Sequence, residues 1–169
     1  MRCRAAAISL ILLALGPLGC AGPDGATYTS APSPAVTASS VPSVTVPDLT
    51  NAERARAGIA TLSVNAQLNA AAQLQATQLA ALQVLQHNIP NGTYPTPPDR
   101  LAAAGYAWQA YGENIASGYP FAADAMTAWM NSSGHRDNIL NPAFTQIGTA
   151  SAADATGRMY WVQVFGKPG

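Results

Sequence analysis

Apolar residues recur at helical spacing between Asn65 and Gln86. Leucines and alanines fall at intervals of three and four residues, while several of the glutamines between them occupy the opposite side. This spacing is typical of a helix with one buried face. The buried face is predicted to contain Leu68, Ala72, Ala76, Leu79 and Leu82. The helix is predicted to run to about Gln86 and to end at His87.

Shorter helices are predicted on both sides of this segment. Thr50 followed by Glu53 has the spacing of a capping box, and Gly58 is suited to a helix end. Ser133 has a side chain and position suited to capping a further helix, which would run to Leu140. The predicted short helices are residues 51–57, 99–104, 120–131 and 134–140.

Period-two alternation marks the C-terminal end of the chain. Residues 145–150 and 159–165 are predicted to be strands joined by a turn at residues 154–157, and residues 59–62 are a short extended segment. The proline-rich residues 88–98 are predicted to be a loop. Helices followed by paired strands indicate an α+β domain with layered packing.

The composition agrees with one modest domain. The chain has 169 residues, of which 49% are hydrophobic and 9% charged, and its formal net charge is zero. Phosphate recognition needs clustered lysine and arginine, which the sequence lacks. No nucleic-acid partner is therefore expected.

The first 20 residues have the pattern of an export signal. Arg2 and Arg4 precede a short apolar run that ends near Leu18-Gly19-Cys20. Cys20 is the expected lipidation site of a cell-envelope lipoprotein, although Pro17 departs from the usual pattern. Cleavage after Ala21 would instead release a freely secreted protein. Contact with a membrane is expected only through such a lipid.

Residues 21–47 are predicted to be a disordered linker, because they are rich in Pro, Ser, Thr and Ala and contain few large apolar side chains. The folded domain is then expected at residues 48–169. Cys3 is removed with the signal, so no disulfide is expected in the domain and its stability must come from packing.

Ionisable side chains are scarce, which narrows the candidate chemistry. The chain has two histidines and two glutamates. One of each lies in the two most distinctive segments, residues 111–116 and residues 129–140. These segments read Tyr111-Gly112-Glu113-Asn114-Ile115-Ala116 and Trp129-x-x-Ser132-x-Gly134-His135-Arg136-x-Asn138-Ile139-Leu140.

Together with other segments in the same order, these residues resemble the bacterial branch of the CAP superfamily, which includes cysteine-rich secretory, antigen 5 and pathogenesis-related proteins. The resemblance covers residues 48–169. It implies secretion, an α-β-α sandwich of three layers, and a cleft that many members line with two histidines and two acidic residues. The further matching segments are Leu62-x-x-Asn65-x-x-Leu68, His87, Arg100-Leu101-x-x-x-Gly105-Tyr106, Phe144-x-x-Ile147-Gly148 and Tyr160-Trp161-Val162-Gln163-Val164-Phe165-Gly166.

Carried over by position, the resemblance assigns His87, Glu113 and His135 to that cleft. Ser132 stands where the animal and plant branches carry the second acid. A mechanism that requires two carboxyl groups is therefore unsupported.

Each of these residues also has a structural interpretation. His87 could contact the last carbonyls of the preceding helix, and Glu113 could accept backbone amides and fix a loop over residues 111–118. His135 would lie in a first helical turn, which favours the neutral ring that binds metals. Arg136 and Asn138 are expected to fix loops, and Trp129 to lie in the core.

Three functions remain open from the sequence. The leading hypothesis is a non-catalytic binding module in which His87, Glu113 and His135 bind zinc or another divalent ion, beside a groove for a lipid-like or peptide ligand. The second is a metal-assisted hydrolase, a protease or nuclease, that uses Glu113 and the histidines, with Glu113 and His135 as its catalytic residues. The third is an adhesion domain that uses the loop at residues 88–98.

Overall fold

A computed structural model describes residues 44–169. The predicted export signal, Cys20 and most of the predicted linker lie outside these residues. Among residues 44–169, no helix combines the length and the apolar character needed to cross a membrane. The elements are α1 (Val46–Arg56), β1 (Ser63–Val64), α2 (Ala66–Leu82), α3 (Pro97–Ala103), β2 (Trp108–Ser117), α4 (Ala122–Met130), α5 (Ser133–Ile139), β3 (Gln146–Ala153) and β4 (Met159–Pro168).

The four strands form one sheet in the order β1-β3-β4-β2. The pairs β3–β4 and β2–β4 are antiparallel, whereas β1 runs parallel to β3. α2 and α3 pack on one face of the sheet, and α1, α4 and α5 pack on the other. The predicted three-layer α-β-α sandwich is confirmed.

Each face of the sheet has its own apolar core. The α2 face buries Leu68, Leu79 and Leu101 against alternate residues of β4, and the other face buries Trp129, Ile139 and Phe165. α2 lies directly on β3 at Gly148, where a Cβ atom would stand 2.0 Å from the backbone carbon of Leu68. Any side chain at this position would force the α2 layer away from the sheet.

The first helix begins earlier than the sequence predicts. The capping box is formed by Thr45 and Asp48, with Pro47 in the first turn, rather than by Thr50 and Glu53. Thr50 is fully buried inside the helix, and its hydroxyl donates to the carbonyl of Val46 (2.8 Å). A threonine inside a helix can satisfy its hydroxyl in this way, so the spacing alone could not identify the cap.

Two other helix ends also differ from prediction. α2 ends at Leu82, four residues before the predicted end, because Gln83 adopts a left-handed conformation (φ 55°) and its amide donates to Leu79. Leu82 is exposed rather than buried. Ser132 is the N-cap residue of α5, and Ser133 is the first residue of that helix, without a capping hydrogen bond from either side chain.

β2 was not predicted, since its sequence was interpreted as a loop. The strand contains Gly112, Glu113 and Asn114 in its centre, and these residues interrupt the apolar alternation. Both polar side chains are nonetheless buried. The predicted strand at residues 59–62 is wrong by a few residues, because β1 is Ser63–Val64.

A chain of buried polar side chains connects four elements on the α4 and α5 side of the sheet. Thr50 of α1 accepts from Gln163 of β4 (2.8 Å), and Gln163 accepts from Asn114 of β2 (3.0 Å). Asn114 in turn accepts from Asn138 of α5 (2.9 Å) and donates to the carbonyl of His135 (3.0 Å). Asn138 is therefore a structural hydrogen-bond donor as expected, but it holds the strand β2 and not a loop.

We expect Asn114→Ala to lower the free energy of unfolding by about 3 kcal/mol, because it leaves the amide groups of Gln163 and Asn138 buried without their partner. Urea denaturation measures the difference. The exposed Asn88→Ala is the matched control and should change the stability by less than about 0.5 kcal/mol. Equal stability of the two variants would contradict the structural role of the buried chain.

Candidate functional site

Glu113 lies in the middle of β2 and is only 8% exposed. Its two carboxylate oxygens face one nitrogen of Arg100, Nη2, at 2.9 and 3.2 Å. Oε1 also lies 2.9 Å from Nδ1 of His87. The expectation that Glu113 accepts backbone amides and fixes a loop is therefore wrong, because its carboxylate binds side chains and its backbone belongs to a strand.

Arg100 is the partner that the sequence analysis did not identify as part of the site. It lies on α3, which Thr96 and Asp99 cap with a complete capping box, and its side chain is 1% exposed. Besides Glu113, its guanidinium donates to the carbonyl of Tyr94 (3.2 Å) and to the carbonyl of His87 (3.0 Å). Arg100 therefore fixes the carboxylate and the backbone of His87 at the same time.

The sequence did carry a signal for this role. Arg100 follows Thr96-Pro97-Pro98-Asp99, which marks a helix start, and the apolar Leu101 comes directly after it. A buried charge needs a partner of opposite sign. These signals indicate that Arg100 needs an acidic partner, but with eight Asp and Glu residues in the chain they do not identify Glu113 as that partner.

The side chain of His87 is 48% exposed, so solvent reaches it. Its Nδ1 faces Glu113, and its carbonyl is 3.4 Å from Nε2 of the buried Gln75 in addition to the bond from Arg100. Because α2 ends at Leu82, His87 does not lie at the helix end, and its ring nitrogen faces Glu113 instead of the last carbonyls of that helix. The helix-dipole interpretation of His87 is therefore wrong.

His135 lies in the first turn of α5 and is half-buried. Burial lowers its pKa, and the positive charge of protonated His87 lowers the pKa further. The two histidines are thus close enough for their charges to repel each other. Both effects favour the neutral ring of His135.

The structure brings His87, Glu113 and His135 to one edge of the sheet from different layers. Glu113 and its neighbour Asn114 point to opposite faces of β2, and since β2 is an edge strand, the two layers can meet beside it. Ser132 lies one turn before His135. Within residues 44–169, the hydrogen bonds that the Glu113 carboxylate accepts come from Arg100 and His87, and neither Ser132 nor His135 donates to it.

Within residues 44–169, no group of three or more His, Cys, Asp or Glu side chains is arranged to hold a metal ion. The physical reason is visible at Glu113, whose oxygens are both engaged by Arg100. The donors do not fit a metal held jointly by His87, Glu113 and His135.

A groove of about 530 Å³ lies between α2 and α3, and its lining does not include His87, Glu113 or His135. Tyr94, whose carbonyl accepts from Arg100, forms part of its wall. The remainder of the wall is mainly apolar in surface, although it includes two glutamines and two threonines. The lining residues are Ala70, Gln73, Leu74, Thr77, Gln78, Thr93, Tyr94, Ala103 and Ala104.

This fold and these residues match a known protein family. The family model "CAP: Cysteine-rich secretory protein family" matches residues 48–165. The chain is also 37% identical over 141 residues to the uncharacterized protein YkwD of Bacillus subtilis. The protein belongs to the CAP family of cysteine-rich secretory proteins.

Solved structures agree with this assignment. An extracellular protein with an SCP domain from Bacillus anthracis str. Ames is 30% identical with a TM-score of 0.64, over 72% of this chain and 39% of that one. An outer surface protein of Borrelia burgdorferi shares the fold, with 22% identity and a TM-score of 0.66 over 73% of this chain and 90% of that one.

YkwD and the Bacillus anthracis protein are longer than this chain. The match with YkwD covers 83% of this chain but 52% of YkwD, so the chain spans about half the length of that relative. What the similarity establishes is therefore the shared domain and not the activity of the longer proteins.

We expect Arg100→Met to lower the free energy of unfolding by about 3–5 kcal/mol, because it leaves the carboxylate of Glu113 buried without its partner. Arg56 pairs with Glu53 on the surface, and Arg56→Met is the matched control, with an expected change below about 1 kcal/mol. The double variant Arg100→Met with Glu113→Leu should recover part of the loss. Similar stabilities of the two single variants in urea denaturation would contradict a buried ion pair.

We expect the pKa of His135 to lie below its ordinary value of 6.5 and to rise in His87→Gln without reaching that value, since burial is the larger cause. Imidazole NMR signals followed against pH measure both values, and the two histidines are assigned by the variants.

The same shift predicts a pH dependence of stability. The unfolded chain takes up a proton at His135 near pH 6.5. Because the folded-state pKa is lower, the folded protein takes up this proton only at a lower pH. Stability should therefore fall as the pH drops below 6.5 and level off below the folded-state pKa. A His135 pKa unaffected by His87→Gln would contradict the proximity of the two rings.

Proposed function

We propose that this CAP domain is an exported, non-catalytic binding module that holds a divalent metal ion, such as zinc, weakly between His87 and His135. The observation that carries the proposal is the engagement of Glu113 by Arg100. A carboxylate that is buried and held by a guanidinium is removed from chemistry at the surface. What remains for a ligand is the pair of imidazoles.

The state of Glu113 weighs against the hydrolase hypothesis. A general base must accept a proton from water or substrate. The two oxygens of Glu113 instead face the donors of Arg100 and His87. Ser132 supplies no second carboxyl group. Within residues 44–169, Glu113 is therefore not free to act as the base of this mechanism, and the position of Ser132 provides no paired acid.

The same contacts favour His87 as a metal ligand. A carboxylate that accepts from one ring nitrogen of a histidine orients the ring and makes the other nitrogen a better ligand. Glu113 stands in this relation to His87 through Nδ1, which leaves Nε2 for the metal. His135 contributes a ring whose lowered pKa keeps it neutral at pH 7. A bound metal would supply a positive charge for an anionic group of a ligand.

The groove between α2 and α3 supports an organic ligand beside the metal. Its mainly apolar wall and its volume of about 530 Å³ fall within the range of small-molecule sites. Tyr94 lines the groove, and its backbone carbonyl accepts a hydrogen bond from Arg100. An elongated lipid-like or peptide ligand could place its apolar part in the groove and an anionic end near the histidines.

Export is supported by two observations. The first 20 residues have the composition of a signal sequence, and the similar protein of Bacillus anthracis is described as extracellular. Cys20 is the residue that would carry a lipid and keep the domain at the cell envelope. Free secretion is the alternative, and mass spectrometry of the mature N-terminus distinguishes the two forms.

Calorimetric titration with zinc chloride at pH 7.5 tests the metal site. We expect one weak site in the wild-type protein, and binding at least tenfold weaker in both His87→Ala and His135→Ala. Asn88→Ala, which changes the exposed neighbour of His87, should bind as the wild type does. Binding should also weaken from pH 7.5 to pH 5.5, because protons compete for the imidazoles. Equal or absent binding in all four proteins would refute the metal site.

A further inference from the structure

The outer edge of β3 is only partly covered. β4 pairs with the whole of β3 on one side, whereas β1 pairs only with Gln146 and Ile147 on the other. The next two outward bonds come from the start of α2: the amide of Asn65 donates to Ile147 (2.9 Å), and Thr149 donates to the side chain of Asn69 (2.8 Å). Within residues 44–169, the hydrogen bonds to this side of β3 end at Thr149.

The register of the sheet identifies the backbone groups of β3 that face outward and have no hydrogen-bond partner within residues 44–169. The amide of Asp154 donates to the carbonyl of Arg158 (3.0 Å), which continues the β3–β4 ladder. Bonding to a given neighbour alternates along an antiparallel strand, so the even-numbered residues of β3 bond to β4 and the odd-numbered residues face outward. Ser151 and Ala153 therefore present amide and carbonyl groups that bond to nothing else within residues 44–169.

Proteins usually protect such an edge with charges, prolines or bulges. Residues 149–153, which we call the open edge, read Thr-Ala-Ser-Ala-Ala and contain none of these features. Their side chains are small, so the backbone is easily approached. The open edge therefore has the chemistry of a strand that accepts another strand.

Grooves flank the open edge on both faces of the sheet. On the α1 and α4 side, Thr149 and Ser151 line a groove of about 530 Å³ together with Phe121, which is 70% exposed. On the α2 side, Ala152 and Ala153 line a groove of about 300 Å³. Alternate side chains of an added strand would point to the two faces. Each groove thus lies where such side chains would go.

We propose that the open edge binds an extended, uncharged peptide segment as a fifth strand of the sheet. Its larger apolar side chains would enter the groove beside Phe121, and its small side chains would face α2. Apart from Asp154 at one end, the residues lining the two grooves carry no charge. The carboxylate of Asp154 already accepts from Thr156 and Arg158. Neither groove therefore favours a charged partner.

A peptide fits this edge better than a second copy of the chain. Five residues of strand extend only about 17 Å, and pairing two such edges would bury less than the roughly 1,200 Å² typical of stable protein interfaces. The copy would also present only Thr149, Ser151 and Ala153 to the larger groove. These side chains are too small to fill it.

Amide hydrogen exchange measured by NMR tests the proposal directly. The probe is the blocked heptapeptide acetyl-Ser-Leu-Ser-Leu-Ser-Leu-Ser-amide. We expect the amides of Ser151 and Ala153 to exchange at least tenfold more slowly when the peptide is bound, because they then donate to it. Shifts at Phe121 without protection of these two amides would mean that only the groove is occupied, as by an acyl chain, and would refute strand addition.

Two forms of the peptide, N-methylated at the leucines or at the serines, provide a control on the ligand. An added strand uses the amides of one edge only, so one form should bind and the other should not. Equal binding of both forms would overturn the proposal. Protection of Ser151 and Ala153 that depends on protein concentration without peptide would show a second copy instead, and would also overturn it.

A matched pair of proline variants provides the control on the protein. Ser151→Pro removes an outward amide without removing a bond to β4, and proline is tolerated on such an edge. Ser133→Pro is the matched control, because Ser133 is exposed, lines neither groove and is the first residue of α5, a helix position where proline is favoured. We expect peptide binding to weaken at least tenfold in Ser151→Pro and to persist in Ser133→Pro. If Ser151→Pro does not fold, the N-methylated peptides decide the question alone.

Discussion

The ion pair between Glu113 and Arg100 is the interaction on which the candidate site depends. A carboxylate buried in the middle of a strand is unstable without a partner, so the position of α3 is tied to the position of β2. The guanidinium also binds the carbonyls of Tyr94 and His87, which fixes the loop between α2 and α3. The exposed ring of His87 is therefore oriented by groups that are themselves inaccessible. The ion pair between Glu113 and Arg100 therefore fixes the geometry of the site. It also occupies the carboxylate of Glu113, which is then not available to a ligand.

The second support of the site comes from the opposite face of the same strand. Asn114 follows Glu113 directly, and its side chain joins the buried polar chain that includes Gln163 and Asn138. This chain holds the backbone of His135, whereas the ion pair holds His87. Gly112 completes the arrangement, because a Cβ atom there would lie 2.9 Å from the side chain of Asn138. Three successive residues of β2 thus position the two histidines from two layers.

The helices and the C-terminal hairpin could be predicted because their apolar residues follow one period. α2 and α4 show helical spacing, and β4 shows alternation. β2 could not be predicted from its period, because the residues at its centre make polar contacts and interrupt the alternation of apolar side chains. Glu113 was recognised as important, but its partner was not, since Arg100 is distant in sequence and only the fold brings them together. The cap of α1 was misplaced because a threonine can bond within a helix as well as at its start.

The two edges of the sheet have opposite character, and the strand order explains why. At the β2 edge, side chains of α4 and α5 bond to backbone carbonyls of the strand: Trp129 donates to Ile115 (3.2 Å) and Asn138 donates to Glu113 (3.4 Å). At the β3 edge, the chain departs into α2 after two residues of β1, and small uncharged residues leave backbone groups exposed. β3 and β2 are separated by β4, the strand that both pair with. Recognition through side chains and recognition through the backbone can therefore occur on one sheet without competing for the same groups.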